Sequence, residues 1–315
     1  MRNIFRDPKK QAEFEEQGYT LLPFLDAATI ERLSAFYGTL NNDHIIQAYG
    51  FHYSLDNADG QFVQRVADAV RENVAAAVEE HFDRCKIIIA SYVVKEPNPK
   101  SLVPPHQDWT FVDEDEFNSV SVWIPLIDVR MENGAMGILR GSHKFFSHIR
   151  PSPAPQFRPP FGDHMFSIFP HLGILEMKAG EAVVFNNRTI HASPPNASPN
   201  PRVAVGFVIT QKEADLFHHY LLPGHETPRI ESFAIDETFF YQYNNTKLRA
   251  LHDAGGKPEG FTSLGESDLG IEPITADALV EKITNAGNTM NLPLIQQLAK
   301  LFNYSLDGRP LAKPS

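Results

Sequence analysis

Apolar residues recur at helical spacing through the first quarter of the chain. In segment 60–82 they return every third or fourth position, which predicts a helix with one buried face. An earlier helix is predicted at 8–17, between a capping Asp7 and a terminating Gly18. A second helix is predicted after Asp26, which is another capping residue. The apolar stretch YTLLPFL between these two predicts a short strand.

From residue 86 onward, short β-branched runs alternate with turns rich in Gly and Pro. Strands are predicted at 86–96, 119–127, 136–139, 174–180, 181–187 and 203–210. Many short strands with such turns favour a sandwich or jelly roll over βαβ units. Segment 151–170 is too rich in Pro and Phe for regular structure, and long loops of this kind often cover a site.

Helical spacing returns near the C-terminus, at 276–286 and 292–302. The chain as a whole therefore predicts a mainly β fold with flanking helices. We expect a jelly-roll core with N-terminal helices in residues 1–212 and a helical C-terminal extension in 213–315. The aromatic stretch FAIDETFFYQY in this extension is too apolar to stay in water. We expect it to cap the barrel mouth, to form a homodimer contact, or simply to pack on the outside of the core.

The charge balance limits the partners of the chain. With 28 Lys and Arg against 39 Asp and Glu in 315 residues, the formal net charge is −11, which repels phosphate backbones and anionic membranes. No apolar run approaches the ~20 residues of a membrane span, and the charged N-terminus differs from a signal peptide. Cys85 is the single cysteine, so no internal disulfide can form. We therefore expect a cytoplasmic protein without nucleic-acid or membrane partners.

The stretch VPPHQDWTF places His106 two residues before Asp108. The 13 His and 39 acidic residues of the chain give about 1.6 such pairs by chance, and a second pair, His81 with Asp83, is present. Residues two apart share a face in a strand but point nearly opposite ways in a helix. Because the second pair ends the predicted third helix, only the first pair is a candidate metal site.

A metal ion needs further ligands, and His191 is the best distant candidate because it follows an apolar strand and precedes a turn. Two imidazoles and one carboxylate leave coordination positions open, which suits Fe(II) with a cosubstrate and O2 better than zinc. Arg202 begins the next predicted strand, and an antiparallel return would bring its carboxylate-matching guanidinium back towards the metal. Taken alone, the position of His191 is equally typical of a structural histidine that is hydrogen-bonded at the end of a strand. That of Arg202 is equally typical of an ordinary surface arginine.

A longer pattern includes these residues. The segments HQD, SVSVWIPLIDVRMENGAMGILRGSHK, GEAVVFNNRTIHAS and NPRVAVGFVI resemble the phytanoyl-CoA dioxygenase family of Fe(II)/2-oxoglutarate oxygenases. The resemblance extends from FEEQGYTLLPFLD to about residue 210, and its most specific part is W-x-P-L-x-D-x-x-x-E-N-G followed by GSH. It implies a double-stranded β-helix, a cupin-like jelly roll. It also implies His106, Asp108 and His191 as iron ligands, with Arg202 on the distal carboxylate of 2-oxoglutarate.

The resemblance implies two more residues at the cosubstrate. Similar family members place a serine two positions after the second histidine and a tryptophan beside the cosubstrate, here Ser193 and Trp123. The alternatives are that Ser193 only shapes the proline turn and that Trp123 belongs to the core. The implied cofactors are Fe(II), 2-oxoglutarate and O2, with ascorbate as an aid in vitro.

Other histidines in the chain have structural explanations. His143, in the GSH segment, is expected to be a hydrogen-bonded structural residue, and Asn133-Gly134 a turn. His218 and His219 are adjacent and so point to different faces, which disfavours joint ligation.

These observations predict a hydroxylase that oxidises an unactivated C–H bond of a small molecule and forms succinate and CO2. Because related halogenases have a small residue at the position of Asp108, its presence favours hydroxylation. The acidic surface favours an amine, an amino acid or a lipid-like natural product over a CoA thioester. Two other classes stay open at this stage. One is a non-catalytic binding protein with the same barrel, and the other a zinc metallohydrolase, for which the sequence offers no identifiable general base.

Overall fold

The computed structural model describes residues 2–41 and 49–302. In these ranges the strands are β1 (Tyr19–Pro23), β2 (Phe51–Tyr53), β3 (Cys85–Lys95), β4 (Val103–His106), β5 (Val120–Pro125), β6 (Gly137–Ile138), β7 (Gly173–Ile174), β8 (Glu181–Asn186), β9 (His191–Ser193), β10 (Arg202–Gln211), β11 (Leu216–Leu221), β12 (Arg229–Ile235) and β13 (Thr262–Asp268). The helices are α1 (Pro8–Gln17), α2 (Ala27–Gly38), α3 (Gly60–His81), α4 (Met165–Ile168), α5 (Phe239–Gln242), α6 (Asn245–Asp253), α7 (Ala276–Asn285) and α8 (Leu292–Phe302). None of the helices in the described ranges is long and apolar enough to cross a bilayer.

The N-terminal helices form where their local signals predict them. Asp7 accepts a hydrogen bond from the Lys9 amide at 2.8 Å, and α1 ends at Gly18, whose φ of 83° is the left-handed conformation that glycine tolerates. Asp26 accepts a hydrogen bond from the Thr29 amide at 2.7 Å at the start of α2. These three helix predictions, including α3, are confirmed.

Two facing antiparallel sheets form the core. One has six strands in the order β1-β8-β5-β10-β3-β2, and the other has four in the order β4-β9-β6-β7. Between β3 and β10 the chain crosses from one sheet to the other at almost every connection. This arrangement is a double-stranded β-helix, and the predicted fold class of the core is confirmed.

Apolar residues fill the interior and cover both outer faces. The interior cluster includes Trp123, Val183, Phe185 and Ala204. Helices α1 to α3 pack against the outer face of the six-stranded sheet. Helices α7 and α8, with part of the segment 161–172, pack against the outer face of the four-stranded sheet. The polar residues described below share the interior with this cluster.

The prediction of a helical C-terminal extension is wrong in part. Helices α5 to α8 are present, but β11, β12 and β13 also form a third, antiparallel sheet in this region. Every residue of β13 is exposed, so this strand has no apolar alternation that would reveal it. Strands β4 and β9 were also not predicted, because they are only four and three residues long and β4 contains two prolines.

The aromatic stretch 233–243 packs inside the molecule. Phe233, Phe239 and Phe240 are buried in a cluster with Ile88 and Phe111. Packing on the core therefore explains these side chains. The cap and homodimer roles, and the boundary between residues 212 and 213, stay predictions, and positions 303–315 lie outside the described residues.

Candidate metal centre and cosubstrate pocket

The side chains of His106, Asp108 and His191 converge between the sheets. His106 ends β4, His191 begins β9, and the two residues are directly opposite each other in the antiparallel pair. One potential ligand atom from each of the three side chains lies within 4.8 Å of the others. Among residues 2–41 and 49–302 this is the one such group of three or more His, Cys, Asp or Glu.

Hydrogen bonds orient both imidazoles. Nδ1 of His106 lies 2.8 Å from the carbonyl oxygen of Pro104, and Nδ1 of His191 lies 3.1 Å from that of Thr189. A carbonyl oxygen only accepts, so each Nδ1 carries the proton and each Nε2 keeps a free lone pair. Burial first, and the charge of His106 second, lowers the pKa of His191 to about 4. His191 is therefore neutral at pH 7, the form in which imidazole binds a metal ion.

The position of Asp108 does not come from strand alternation. Strand β4 ends at His106, so the argument that both residues share one strand face is wrong. The loop is held instead by its backbone. The amide of Asp108 donates to the carbonyl oxygen of Asn187 at 3.0 Å, and its carbonyl oxygen accepts from Nε of Arg150 at 2.6 Å.

The two carboxylate oxygens of Asp108 have different surroundings. Oδ2 accepts a hydrogen bond from the hydroxyl of Ser121 at 2.6 Å. Oδ1 lies 3.9 Å from Nε2 of His106 and 3.7 Å from Nε2 of His191. Oδ1 is therefore the oxygen available to an ion shared with both imidazoles.

The second His-x-Asp pair has no such environment. His81 is the last residue of α3, and its Nε2 lies 3.1 Å from the carbonyl oxygen of Pro23. The carboxylate of Asp83 lies 2.8 Å from Nη1 of Arg2. The interpretation of this pair as a helix terminus is confirmed.

Arg202 is almost fully buried at the start of β10, with 2% of its surface exposed. Nη1 donates to the carbonyl oxygen of Gly134 at 3.1 Å, whereas Nε and Nη2 are buried without a protein partner. The guanidinium carbon lies 5.0 Å from the centre of the Trp123 ring. Burial lowers the pKa of Arg202 to about 10. Buried donors without acceptors are uncommon, and a carboxylate matches this planar fork.

The path from His191 to Arg202 differs from the predicted hairpin. Strand β9 belongs to the four-stranded sheet and β10 to the six-stranded sheet. The chain therefore passes from one sheet to the other between His191 and Arg202, and Arg202 lies on the sheet opposite the one that carries both histidines.

Lys95 is a second buried cation, and no sequence pattern indicates it. It lies opposite Arg202 in the pairing of β3 with β10 and is 0% exposed. Its Nζ donates to the hydroxyl of Ser193 at 2.5 Å and to the carbonyl oxygen of Pro194 at 2.6 Å. Desolvation first, and the charge of Arg202 second, holds the pKa of Lys95 well below its usual range.

Two neighbouring buried cations are costly unless an anion accompanies them. In the described part of the chain no carboxylate forms an ion pair with Lys95 or Arg202. Ser193 contacts Lys95, and Trp123 lies against Arg202. Two of the three residues predicted for the cosubstrate therefore contact this pair, and the third, Arg202, belongs to it. The arrangement fits a small dianion, and the individual roles stay predictions.

Tyr53 is another residue that the sequence analysis missed. It lies on β2 beside Phe51, with ring centres 5.0 Å apart, and belongs to the interior cluster. Burial first, then the charge of Asp108, raises the pKa of Tyr53, while the charge of Arg202 lowers it. The charges of Asp108 and Arg202 therefore both act on the phenol of Tyr53. The one available signal was its place two residues from another aromatic in a short apolar stretch.

His143 and Gly134 have the structural roles that the sequence predicts. Nε2 of His143 lies 3.1 Å from the carbonyl oxygen of Glu15, which ties the GSH segment to α1. Gly134 has a φ of 80°, and a Cβ there would lie 2.7 Å from Cδ of Lys95. The ENG turn therefore needs glycine in order to pack against the buried lysine.

His218 and His219 bind separate partners, as expected. Nε2 of His218 lies 2.7 Å from the hydroxyl of Ser152, and Nδ1 of His219 lies 2.8 Å from that of Ser232. The ring of His218 also lies 5.8 Å from that of Trp109, the residue after Asp108. Strand β11 therefore contacts the loop that carries the carboxylate.

Comparison with known families identifies the chain. The family model for phytanoyl-CoA dioxygenase (PhyH) matches residues 14–204. The chain belongs to the phytanoyl-CoA dioxygenase family. This membership confirms the resemblance seen in the WIPL and ENG segments. It also confirms the expected cofactors of the family, Fe(II) and 2-oxoglutarate.

Curated relatives match part of the chain. Phytanoyl-CoA dioxygenase 1 of Oryza sativa subsp. japonica is 31% identical over 137 residues, which cover 42% of this chain and 47% of that protein. Phytanoyl-CoA dioxygenase of Arabidopsis thaliana is 29% identical over 135 residues, with coverages of 42% and 47%. The chain thus spans about half the length of the curated relatives it matches.

The chain also aligns with solved structures. The non-haem alpha-ketoglutarate-dependent epimerase SnoN from nogalamycin biosynthesis aligns with a TM-score of 0.46 and 20% identity over 66% of this chain and 83% of that chain. HygX from Streptomyces hygroscopicus, with nickel, 2-oxoglutarate and hygromycin B bound, aligns with a TM-score of 0.46 and 14% identity over 66% and 88%. Identities this low say nothing about a shared substrate.

Proposed function

We propose that the protein is an Fe(II)/2-oxoglutarate-dependent dioxygenase that hydroxylates an unactivated C–H bond of a small molecule and forms succinate and CO2. The observation that carries the proposal is the pair of buried cations, Lys95 and Arg202, inside the same jelly roll as the His/Asp/His group. A zinc hydrolase gives no reason for two buried cations without an anionic partner. A non-catalytic barrel that binds an anion would form no succinate, and the test below separates it from an enzyme.

The three side chains fit a metal ion through their donor atoms. Each imidazole has its Nδ1 on a carbonyl oxygen, which leaves Nε2 free. The carboxylate of Asp108 has Oδ2 on Ser121, which leaves Oδ1 free. Three protein ligands of this kind leave coordination positions open for a cosubstrate and O2. We therefore assign His106, Asp108 and His191 as the iron ligands.

The cosubstrate would bind between these ligands and the buried cations. Nε and Nη2 of Arg202 are the free donors for its distal carboxylate, and Lys95 supplies a second positive charge. The hydroxyl of Ser193 accepts from Lys95, so its own proton stays available to an anion. Trp123 closes one side of the guanidinium.

The metal ion, its ligands and the two buried cations have separate roles in the proposed reaction. Bound Fe(II), with 2-oxoglutarate and O2, supplies the oxidising power for C–H hydroxylation. The histidines and Asp108 fix the ion, and Arg202 with Lys95 fixes the orientation of the cosubstrate. The apolar interior around Phe185, whose ring lies 4.6 Å from that of His191, excludes water. No acid and base pair from the protein is required.

The primary substrate is proposed as an amine, an amino acid or a lipid-like natural product. The acidic surface attracts cations and repels polyanions. We also propose that the region after residue 212 forms one wall of the substrate entrance. Support comes from the contact between His218 and Trp109 beside the carboxylate ligand.

The test is incubation of the protein with cell extract, Fe(II), ascorbate and 2-oxoglutarate, followed by untargeted mass spectrometry. We expect one compound to gain a single oxygen only when 2-oxoglutarate is present, and the His191→Ala variant in the same extract to give none. A compound that gains water without 2-oxoglutarate would indicate a hydrolase instead. Absence of any oxygenated product from several extracts, with succinate unformed, would contradict the proposal.

A further inference from the structure

A buried arginine joins the carboxylate loop to two other segments. Arg150 is 2% exposed, and its guanidinium donates from Nε to the carbonyl oxygen of Asp108 at 2.6 Å. Nη1 donates to the carbonyl oxygen of His148 at 3.0 Å, and Nη2 donates to Oε1 of Glu114. The backbone amide of Arg150 also donates to the hydroxyl of Thr110 at 3.1 Å.

Glu114 continues the connection to the segment before His191. Its side chain is 7% exposed, and its Oε2 accepts from Nε of Arg188 at 2.8 Å. Arg188 lies three residues before His191. The carbonyl oxygen of Arg188 in turn accepts from Nε2 of Gln107, at 2.6 Å.

These contacts close a ring that joins the segments of two proposed metal ligands. Starting at Asp108, the ring passes through Arg150, Glu114 and Arg188 and returns to the carboxylate loop at Gln107. It therefore fixes the segment with Asp108 relative to the segment with His191. These segments are not neighbours in sequence, and each carries one proposed ligand.

Stability alone is a weak reason for such a ring. Buried ion pairs lose about as much in desolvation as they gain, and apolar replacements of both partners are often neutral. What a fork of charge-assisted hydrogen bonds provides is defined geometry. Ser121 holds Oδ2 and Arg150 holds the backbone oxygen, so Asp108 is restrained at both ends.

We propose that Arg150 and Glu114 are positioning residues that set the geometry of Asp108 and His191 for metal binding. Neither is a ligand: Arg150 acts through the backbone oxygen of Asp108, and Glu114 acts through the side chains of Arg150 and Arg188. The inference rests on the proposed function, because it requires Asp108 and His191 to be ligands.

The experiment measures the affinity of the metal-free, full-length protein for Co(II) by calorimetry. Partners of ligands typically contribute 10- to 100-fold in metal affinity, so we expect Glu114→Gln and Arg150→Lys to weaken Co(II) binding by about that factor. Lysine reaches one partner of Arg150 but cannot reproduce the fork. The Co(II)-induced rise in the unfolding midpoint should shrink in parallel.

Glu231→Gln is the matched control. Glu231 is also a buried carboxylate, 4% exposed, and it accepts from Nζ of Lys257 at 2.7 Å on β12, outside the ring. This variant should lose stability like the ring variants while its Co(II) affinity stays that of the wild type. A purely structural role for the ring would instead give all three variants unchanged affinity.

The outcomes distinguish a failure of the positioning role from a failure of the proposed metal site. Unchanged Co(II) affinity in the folded Glu114→Gln variant overturns the positioning role while the metal site stands. Should Arg150→Lys fail to fold, Glu114→Gln decides, because its side chain has the same shape. If the wild type binds no Co(II), or if His191→Ala binds Co(II) as well as the wild type does, the proposed metal site is overturned, and the role of the ring with it.

Discussion

Arg202 and Lys95 lie opposite each other on β10 and β3, and Arg202 has two buried donors without acceptors. We expect Arg202→Ala to raise the KM for 2-oxoglutarate by about 10- to 100-fold, since a charged hydrogen bond to a carboxylate contributes about 1.5 to 3 kcal/mol. Arg202→Lys should recover only part of this loss, because an ammonium group lacks the planar fork. Steady-state succinate formation at varied concentrations of 2-oxoglutarate measures the KM of both variants. An unchanged KM in the alanine variant would remove Arg202 from the cosubstrate site.

Lys95 should make cosubstrate binding pH-dependent. Desolvation and Arg202 hold its pKa below 10.5 in the free protein. A bound dianion stabilises the ammonium form and raises this pKa again. Affinity for 2-oxoglutarate should therefore be full where Lys95 is protonated. It should fall as the pH rises through the lowered pKa towards 10.5.

Calorimetry of 2-oxoglutarate binding to Zn(II)-loaded protein, from neutral to alkaline pH, measures this dependence. Proton uptake should appear as a heat that varies with the ionisation enthalpy of the buffer. Lys95→Met should bind more weakly and lose the pH dependence in this range. The same slope in wild type and Lys95→Met would assign the titration to another group.

Single residues were predictable where a motif carried them. The sequence selects His106, Asp108, His191 and Arg202 as candidates because their spacing fits a known pattern, although β4 ends before Asp108. Lys95 was not found, because the sequence does not show which of its lysines the opposite strand buries. Contacts between sheets, such as that of Lys95 with Ser193, depend on a register that only the fold supplies.

At the scale of elements, helices with local signals were predicted and short strands were not. Asp7, Asp26 and Gly18 mark helix ends by hydrogen bonds or φ values that neighbouring residues alone determine. Strands β4 and β9 need partners far away in sequence, since β4 pairs with β9, and β9 also pairs with β6. The third sheet was missed for the same reason, and β13 has no buried face to reveal it.

The C-terminal elements should be integral to stability. Phe239 on α5 is 0% exposed, and its ring lies 4.1 Å from that of His218. We expect Phe239→Ala to lower the free energy of unfolding by about 3 to 5 kcal/mol. Phe166→Ala on α4 is the control, because Phe166 is 81% exposed and should change stability by no more than about 0.5 kcal/mol. Urea unfolding of both variants provides the test, and equal effects would contradict the packing of this region on the core.

Over the whole molecule, buried neutral histidines should make the protein sensitive to acid. Burial lowers the pKa of five histidines from 6.5 to between about 3 and 4. They are His143, His148, His191, His218 and His219. As the pH falls below 6.5, the unfolded chain binds protons that the folded chain does not, so the free energy of unfolding decreases until about pH 3.

A series of urea unfolding curves across this pH range measures the effect. A fully buried histidine such as His218 contributes about 1.4 kcal/mol per pH unit to the slope. Replacing His219 by Gln should make the slope shallower, because glutamine does not titrate. Stability that stays level between about pH 7 and 5 would show that these histidines do not stay neutral.

The jelly-roll core was predictable from the sequence, whereas the region after residue 212 was predictable only in part. Short strands with Gly and Pro turns, together with the WIPL and ENG segments, predicted a jelly roll, and the alternation of β3 to β10 between two sheets confirms it. The region after residue 212 was described as helical because its helices have clear apolar periodicity. Strands β11 and β12 belong to the apolar cluster with Ile88 and Phe111, a contact that the local sequence does not encode.

Succinate formation from 2-oxoglutarate by the purified protein tests the central claim most directly. Wild type loaded with Fe(II) in air should form succinate, and chelation of the metal should stop it. His106→Ala and His191→Ala should abolish it with little change in the unfolding midpoint of the metal-free protein, while His81→Ala, from the second His-x-Asp pair, should behave like wild type. Succinate formation that persists in His191→Ala, or is absent from iron-loaded wild type, would contradict the account.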